Sequence, residues 1–364
     1  MKDEWYKKDR TGYDRFLLAG DVGGTNTNLG LVGVRAGGLD LLHELEVPSK
    51  TVDDFPGLVA RTALAYEKEL PGIRVEGCSI GANGPVKDNY CHIHNLAWQI
   101  DGEAVRQASG LPTIIVNDFT SVSYGLPFVD STDPHQAVVL HPGSGPQGNV
   151  RAVIGAGTGM GVGALLQQGD HYLALPSEGG HMDFAPFDSL TEAFRSFVEK
   201  KIGTFPSVEL CCSGIGLRNL FLFAKAHGWL DHSQAIVAEV DAGGLEDAPQ
   251  IIAHHAPQDA ACRRILDTFV RIYARFASNI AATLLPRAGL YLAGGIGSKN
   301  LAYFTDRDLF RKTYLQHNNP VIRSFLEQIP VVMILNYNTA LIGAANAGLN
   351  LLHFAGNPAD RKIY

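Results

Sequence analysis

Residues 16–34 read FLLAGDVGGTNTNLGLVGV. The apolar run Phe16–Gly20 ends on a carboxylate at Asp21, Gly23 and Gly24 allow a turn, and Asn28–Val34 is a second strand-like run. The spacing predicts a β-hairpin with a polar, glycine-containing tip, and Leu39–Val47 reads as a third antiparallel strand. Successive N–H groups in such a tip can form an anion-binding nest. Asp21 can hold a hydrated Mg²⁺, which takes few carboxylates and keeps its water. Taken alone, the stretch also reads as an ordinary hairpin turn.

Outward from this hairpin, helix and strand patterns alternate. Phe55–Leu70 has helical spacing, Gly77–Gly81 is a short strand running into Asn83-Gly84-Pro85, and Gly102–Ser109 is a helix. The strand Thr113–Val116 ends at Asn117–Asp118. The strand Arg151–Ile154, the helices Ser189–Lys201 and Ile215–His227, a loop-like Asp241–Pro257 and a long helix Ala260–Leu285 follow. The strands Leu290–Ala293 and Val331–Leu335 and the helix Ala340–Leu352 close the pattern. Such alternation predicts an α/β fold. A strand pair with a glycine turn occurs near Asp21 and again near Gly155, which points to two related halves. Residues 1–14 form a polar arm whose order the sequence leaves open.

Bulk properties narrow the class. At 364 residues the chain is long enough for two domains. With 46% hydrophobic and 18% charged residues it has a real core, so disorder is excluded. The net charge of -7 and the lack of a basic stripe argue against nucleic acid. No apolar run is long enough to cross a membrane and no secretory pattern opens the chain. The five cysteines form no CxxC pair, and Cys211–Cys212 reads as two buried residues in a strand. A reducing cytoplasm fits.

Four further motifs bear chemistry. In Gly155–Gly163 every second residue is glycine, so phosphate oxygens can approach the backbone, or the segment can pack tightly against a neighbour. Neither a Rossmann turn nor a Walker A loop fits, since the spacing differs and no Gly-Lys pair exists. Asn117-Asp118-Phe119 puts a carboxylate at a strand end, where it can serve as a general base or cap a helix. Glu178-Gly179-Gly180-His181 is a compact polar cluster suited to hydroxyl groups. Ala293-Gly294-Gly295-Ile296-Gly297 ends a strand, where bare backbone can take an adenine ring or simply turn.

The order of these motifs resembles the actin, Hsp70 and hexokinase-like ATPase superfamily, and within it the bacterial-type glucokinase family. The chain carries DVGGTN at 21–26, GPV at 84–86, HNLAW at 94–98, NDF at 117–119 and GAGTGMG at 155–161. It also carries EGGHMDFAP at 178–186, Glu209 with SGIGL at 213–217, and AGGIGSKN at 293–300. The resemblance spans Phe16 to about Leu352.

It implies two RNase H-like domains around a central cleft, with 15–128 plus 337–364 as the small domain and 129–336 as the large one. It implies ATP and Mg²⁺ as cofactors and glucose as the substrate, phosphorylated at its 6-hydroxyl. Asp118 would be the base, with Asn117, Glu178, His181 and Glu209 on the sugar. Asp21, Gly23, Gly24, Thr25 and Asn26 would hold phosphates and, through water, Mg²⁺ at Asp21. Gly157, Thr158 and Gly159 would also face phosphates, and Gly294 and Gly295 the adenosine. A homodimer is expected. The zinc motif usual in a related family of sugar kinases and repressors is absent. Rival readings are a kinase for mannose, fructose or N-acetylglucosamine, and a non-catalytic sugar-sensing regulator.

Overall fold

The structure, a computed structural model, describes residues 2–93, 96–145 and 147–352. His94 and Asn95 of the HNLAW stretch thus lie outside the described residues. The chain forms two compact units: residues up to Val129, Gln167–Leu175 and from Asn336 onward in the first, and Asp130–Leu166 with Pro176–Leu335 in the second.

In the first unit, β1 (Lys2–Trp5), β2 (Arg15–Val22), β3 (Asn26–Arg35) and β4 (Gly38–Pro48) precede α1 (Phe55–Glu69). Then come β5 (Val75–Ala82), the short β6 (Val86–Lys87), β7 (Tyr90–His92) and β8 (Gln99–Asp101), α2 (Gly102–Ser109), β9 (Thr113–Asn117) and α3 (Asp118–Gly125). The main sheet has the order β1-β4-β3-β2-β5-β9. The pairs from β1 to β2 are antiparallel, whereas β2, β5 and β9 run parallel.

Side chains alternate across β2, as strand geometry requires. Phe16, Leu18 and Val22 join Phe55, Val59 and Tyr66 in one core. Leu17 and Ala19 join Leu341 and Ala344 of the last helix in another. Both faces of β2 are covered, so the strand reads as a continuous apolar run. The polar segment Lys2–Trp5, left open by the sequence, is an edge strand pairing Lys2 with Glu46 and Trp5 with His43.

The second unit holds β10 (Ala137–His141), β11 (Val150–Ala156) and β12 (Met160–Gln168). β13 (His171–Leu175) groups with the first unit. Helices α4 (Ser189–Ile202), α5 (Gly214–Ala226), α6 (Gln234–Gly243), α7 (Ala248–His255) and α8 (Ala260–Leu284) follow. β14 (Leu290–Ala293), α9 (Gly295–Lys299), α10 (Leu301–Thr305), α11 (Leu309–Tyr314), α12 (Pro320–Gln328) and β15 (Val331–Ile334) complete it. The chain then returns to the first unit as α13 (Thr339–Leu351).

The second unit's strands run in the order β10-β15-β14-β11-β12. β11 and β12 are antiparallel, and β11, β14 and β15 are parallel. This repeats the order and directions of β3-β2-β5-β9, so the two related halves expected from the sequence share one topology. Ile265, Phe269, Ile272 and Phe276 of α8 lie in the core of this unit, as their spacing predicts.

Two expectations need correction. Asp241–Pro257 is not a loop: it holds the end of α6 and all of α7. Val240 and Ile252 are buried in the unit's core, and that burial outweighs the polar, His-rich composition around them. Cys211 and Cys212 are fully buried as expected but stand in a turn, not a strand. Their N–H groups both reach the Val208 carbonyl, at 2.9 and 2.7 Å, and Ser213 then caps α5.

Candidate active site

In the first unit the site grows from the C-terminal ends of β2, β5 and β9. Asp21 pairs across the hairpin with Asn28. The turn closes where the Gly23 N–H donates to the Asn26 carbonyl at 2.9 Å, and Thr25 and Asn26 stay exposed at the tip. Buried Ser49 braces this turn: its N–H donates to Thr25 O at 2.8 Å and its hydroxyl to Gly23 O at 2.7 Å. Trp98 Nε1 in turn donates to Ser49 O at 2.9 Å, with the indole stacked on Phe55. The sequence reading gave neither Ser49 nor Trp98 a role. Only the place of Trp98 in the HNLAW stretch hinted at one.

β9 delivers Asn117 and Asp118 to the start of α3. Asn117, not Asp118, is the N-cap: its Oδ1 accepts the N–H groups of Phe119 and Thr120, and its Nδ2 donates to Gly84 O at 3.2 Å. Asp118 Oδ1 accepts the Phe119 N–H at 2.8 Å, and Oδ2 accepts Asn83 Nδ2 at 2.9 Å. Asn83, directly after β5, is a third residue whose role the sequence did not reveal.

Burial pushes the Asp118 carboxyl above its usual value, and the hydrogen bonds from Phe119, Asn83 and Asn117 pull it back only in part. Burial, and next the Asp118 charge, push Asp21 up to about 6, while Asn28 opposes the shift through a hydrogen bond. A buried carboxylate raised further by the charge of a second one marks a place for positive charge. Asn28 Oδ1 is buried there without a partner. Hard oxygen donors around few carboxylates fit a water-rich Mg²⁺.

In the second unit the turn between β11 and β12 carries Gly157, Thr158 and Gly159. The Gly157 N–H donates to Gly159 O at 2.9 Å, and the start of α5 ties in from below, Gly214 N–H to Gly157 O at 2.8 Å. Glu209 joins two motifs. Its Oε2 accepts the Met160 N–H at 2.9 Å, and its own N–H donates to Gly180 O at 2.9 Å. A Cβ on Gly180 would lie 1.8 Å from the Met160 backbone oxygen, so that position needs glycine, and one on Gly159 would lie 2.2 Å from Glu209 Oε2 and push that carboxylate aside.

Glu178 and His181 flank the Gly179–His181 turn, are exposed, and stand 3.9 Å apart between Oε2 and Nε2. Gly294 has φ +90°, and a Cβ there would lie 2.4 Å from Ala156 O. Its positive φ aims Gly295 into α9 directly beside the glycine turn. In the first unit the expected residues stand at the ends of central strands; in the second the glycine turns at 157–159 and 294–295 do, whereas Glu178, His181 and Glu209 stand in turns between elements.

Similarity to known proteins bears on this arrangement. A family model described as Glucokinase matches residues 18–350. A glucokinase of Nostoc punctiforme is 36% identical over 341 residues, covering 90% of this chain and 97% of that protein. The crystal structure of a glucokinase from an Antarctic psychrotroph superposes with a TM-score of 0.75 at 24% identity, covering 92% of this chain and 99% of that one. A ROK-family glucokinase from Streptomyces griseus, solved with glucose and AMPPNP, superposes with a TM-score of 0.55 at 21% identity over 91% of this chain and 98% of that one. At these identities the two structures show the shared fold.

Proposed function

The chain belongs to the glucokinase family, and from that premise we propose that it transfers the γ-phosphoryl group of ATP to the 6-hydroxyl of glucose. The observation that carries the reading is Asp118. A half-buried carboxylate at a strand end, fixed by Asn83 and Phe119 and raised in pKa, is suited to take a proton from a sugar hydroxyl near neutral pH. As the O6–H bond breaks, its proton goes to Asp118 and the oxygen pair attacks phosphorus. The β–γ bridging oxygen leaves with ADP.

The remaining residues position. The braced turn Gly23–Asn26 and the turn Gly157–Gly159 would face the phosphates. Gly294 and Gly295 would leave room for the adenosine, and Glu178, His181 and Glu209 would bind sugar hydroxyls. Asn117 shapes the site by capping α3 and holding Gly84. A Mg²⁺ ion near Asp21, when bound, would neutralise phosphate charge. Asp21 and Asn28 would hold its water shell. Five buried free thiols agree with a reducing cytoplasm. Among the described residues no helix is long and apolar enough to cross a membrane. A homodimer is the assembly we propose, and sedimentation equilibrium tests it.

ADP release from ATP·Mg²⁺ with glucose, mannose, fructose, N-acetylglucosamine or no sugar tests the activity. Turnover on glucose far above the rest is expected. Strong preference for another sugar would keep the chemistry and change the substrate. Equal turnover without sugar would leave an ATPase.

A further inference from the structure

Glu44 on β4 is a buried carboxylate, its side chain 9% exposed. The register places it opposite Gly30 and Gly30 opposite Ala19, so it shares a sheet face with Asp21, two residues on along β2. Its charge is one of those acting on Asp21. An unneutralised carboxylate buried there would repel phosphate oxygens brought to the hairpin turn.

The N-terminal strand supplies the neutralising group. Lys2 Nζ and the Tyr6 hydroxyl both donate to Glu44 Oε2 at 2.7 Å, and Lys2 also bonds to Tyr6. Burial works against the Lys2 ammonium, but its hydrogen bonds to Glu44 and Tyr6 win, so it stays charged. Asn338 Nδ2, at the start of α13, reaches the Tyr6 hydroxyl at 3.4 Å. The strand is anchored on its other face. Asp3 Oδ1 lies 2.7 Å from His43 Nε2, His43 Nδ1 lies 3.0 Å from the Tyr66 hydroxyl, and Trp5 packs 4.6 Å from the His43 ring. Simple edge pairing requires none of these polar contacts.

We propose that Lys2, supported by Tyr6, is a positioning residue for nucleotide binding, which neutralises the buried Glu44 carboxylate beside the Asp21 turn. The inference rests on reading that turn as the place where the ATP phosphates bind.

Steady-state kinetics on the full chain test it. Wild-type turnover with ATP·Mg²⁺ and glucose is measured first, and its absence would sink the functional reading, not this one. Lys2→Met then raises KM for ATP·Mg²⁺ roughly three- to tenfold and leaves KM for glucose unchanged. Lys2→Arg keeps the wild-type KM. Adding Glu44→Gln to Lys2→Met restores it, because the uncompensated charge is gone. A loss of packing alone would not be repaired by that second change. An unchanged KM for ATP in Lys2→Met overturns the proposal, as does a double variant no better than the single one. If Lys2→Met fails to fold, Glu44→Gln alone decides: KM for ATP falls if the proposal holds, and no change or a rise overturns it.

Discussion

Asn83 Nδ2 donates to Asp118 Oδ2 at 2.9 Å, joining the end of β5 to the first residue of α3. The bond orients the carboxylate and favours its charged form, partly offsetting burial. Asn83→Ala removes both effects. The Asp118 pKa then rises further, since a hydrogen bond to the charged form lowers it. The expected result is a kcat about tenfold lower, with the acid limb of kcat/KM moved to higher pH. A pH–rate profile of the variant checks this, and an unmoved limb would mean that Asp118 does not set it.

Asp118→Asn removes the base but keeps the side-chain volume and an oxygen that can accept the Phe119 N–H. The N-cap of α3 is Asn117, so the helix start is unaffected. Turnover should fall by about 10² to 10⁴, the usual share of positioned proton transfer. Glucose affinity, measured by titration calorimetry, should stay near wild type. Wild-type kcat in this variant would remove Asp118 from the mechanism.

Glu209→Ala strips the acceptor from the Met160 N–H at the base of the second glycine turn. A buried donor left without a partner costs about 1–3 kcal/mol. Thermal unfolding should register that loss. Glu209→Gln, whose amide oxygen can still accept, should recover most of it. If the Gln variant melts like the Ala variant, the carboxylate charge matters rather than the hydrogen bond.

The strands and their terminal motifs were legible because α/β sheets put chemistry at strand ends, where an apolar run stops on a polar residue: Asp21 near the end of β2, and Asn117 and Asp118 at the end of β9. The helix α8 was legible from its spacing alone. What failed to show was contact made through backbone. Lys2–Trp5 joins the sheet by main-chain pairing, which polar side chains do not reveal. Ser49 braces Gly23 and Thr25 through their carbonyls, and Glu209 holds a Met160 N–H, so neither partner has a side-chain signature. In α7 a proline and a histidine pair obscured the helix, which the burial of Ile252 stabilises.

α3 and α13 touch backbone to backbone. A Cβ on Gly343 would lie 1.9 Å from Ser121 O, and one on Gly125 2.3 Å from Thr339 O. Ser121 Oγ donates to Ala340 O at 2.8 Å, and Asn346 Nδ2 to Tyr124 O at 2.9 Å, locking the crossing. Gly343→Ala forces the helices apart at a cost of about 1–3 kcal/mol, read as a lower Tm. Asp118 opens α3, so kcat should fall as well, while the second unit's core is untouched. A variant with wild-type Tm would mean that the crossing relaxes freely.

His141 gives a pH test of stability in the second unit. Its Nε2 faces the Glu327 carbonyl at 3.0 Å, and Arg311 Nε donates to its Nδ1 at 3.2 Å. The ring is therefore neutral with its proton on Nε2, because a proton on Nδ1 would face the guanidinium. Burial first, with the Arg311 charge adding, holds its pKa below the ordinary 6.5. Only the unfolded chain readily takes a proton there, so stability is full above pH 6.5 and falls as pH drops through that value. Asp21 acts in the opposite sense. Its folded pKa near 6 exceeds the ordinary 3.8, so acid between these values favours the fold. Wild-type Tm alone thus mixes two opposed contributions. The difference between wild type and His141→Gln isolates one. The variant should lose less Tm than wild type between pH 7.5 and about 5.5 in calorimetry, and equal losses would show that His141 is protonated as easily in the fold as outside it.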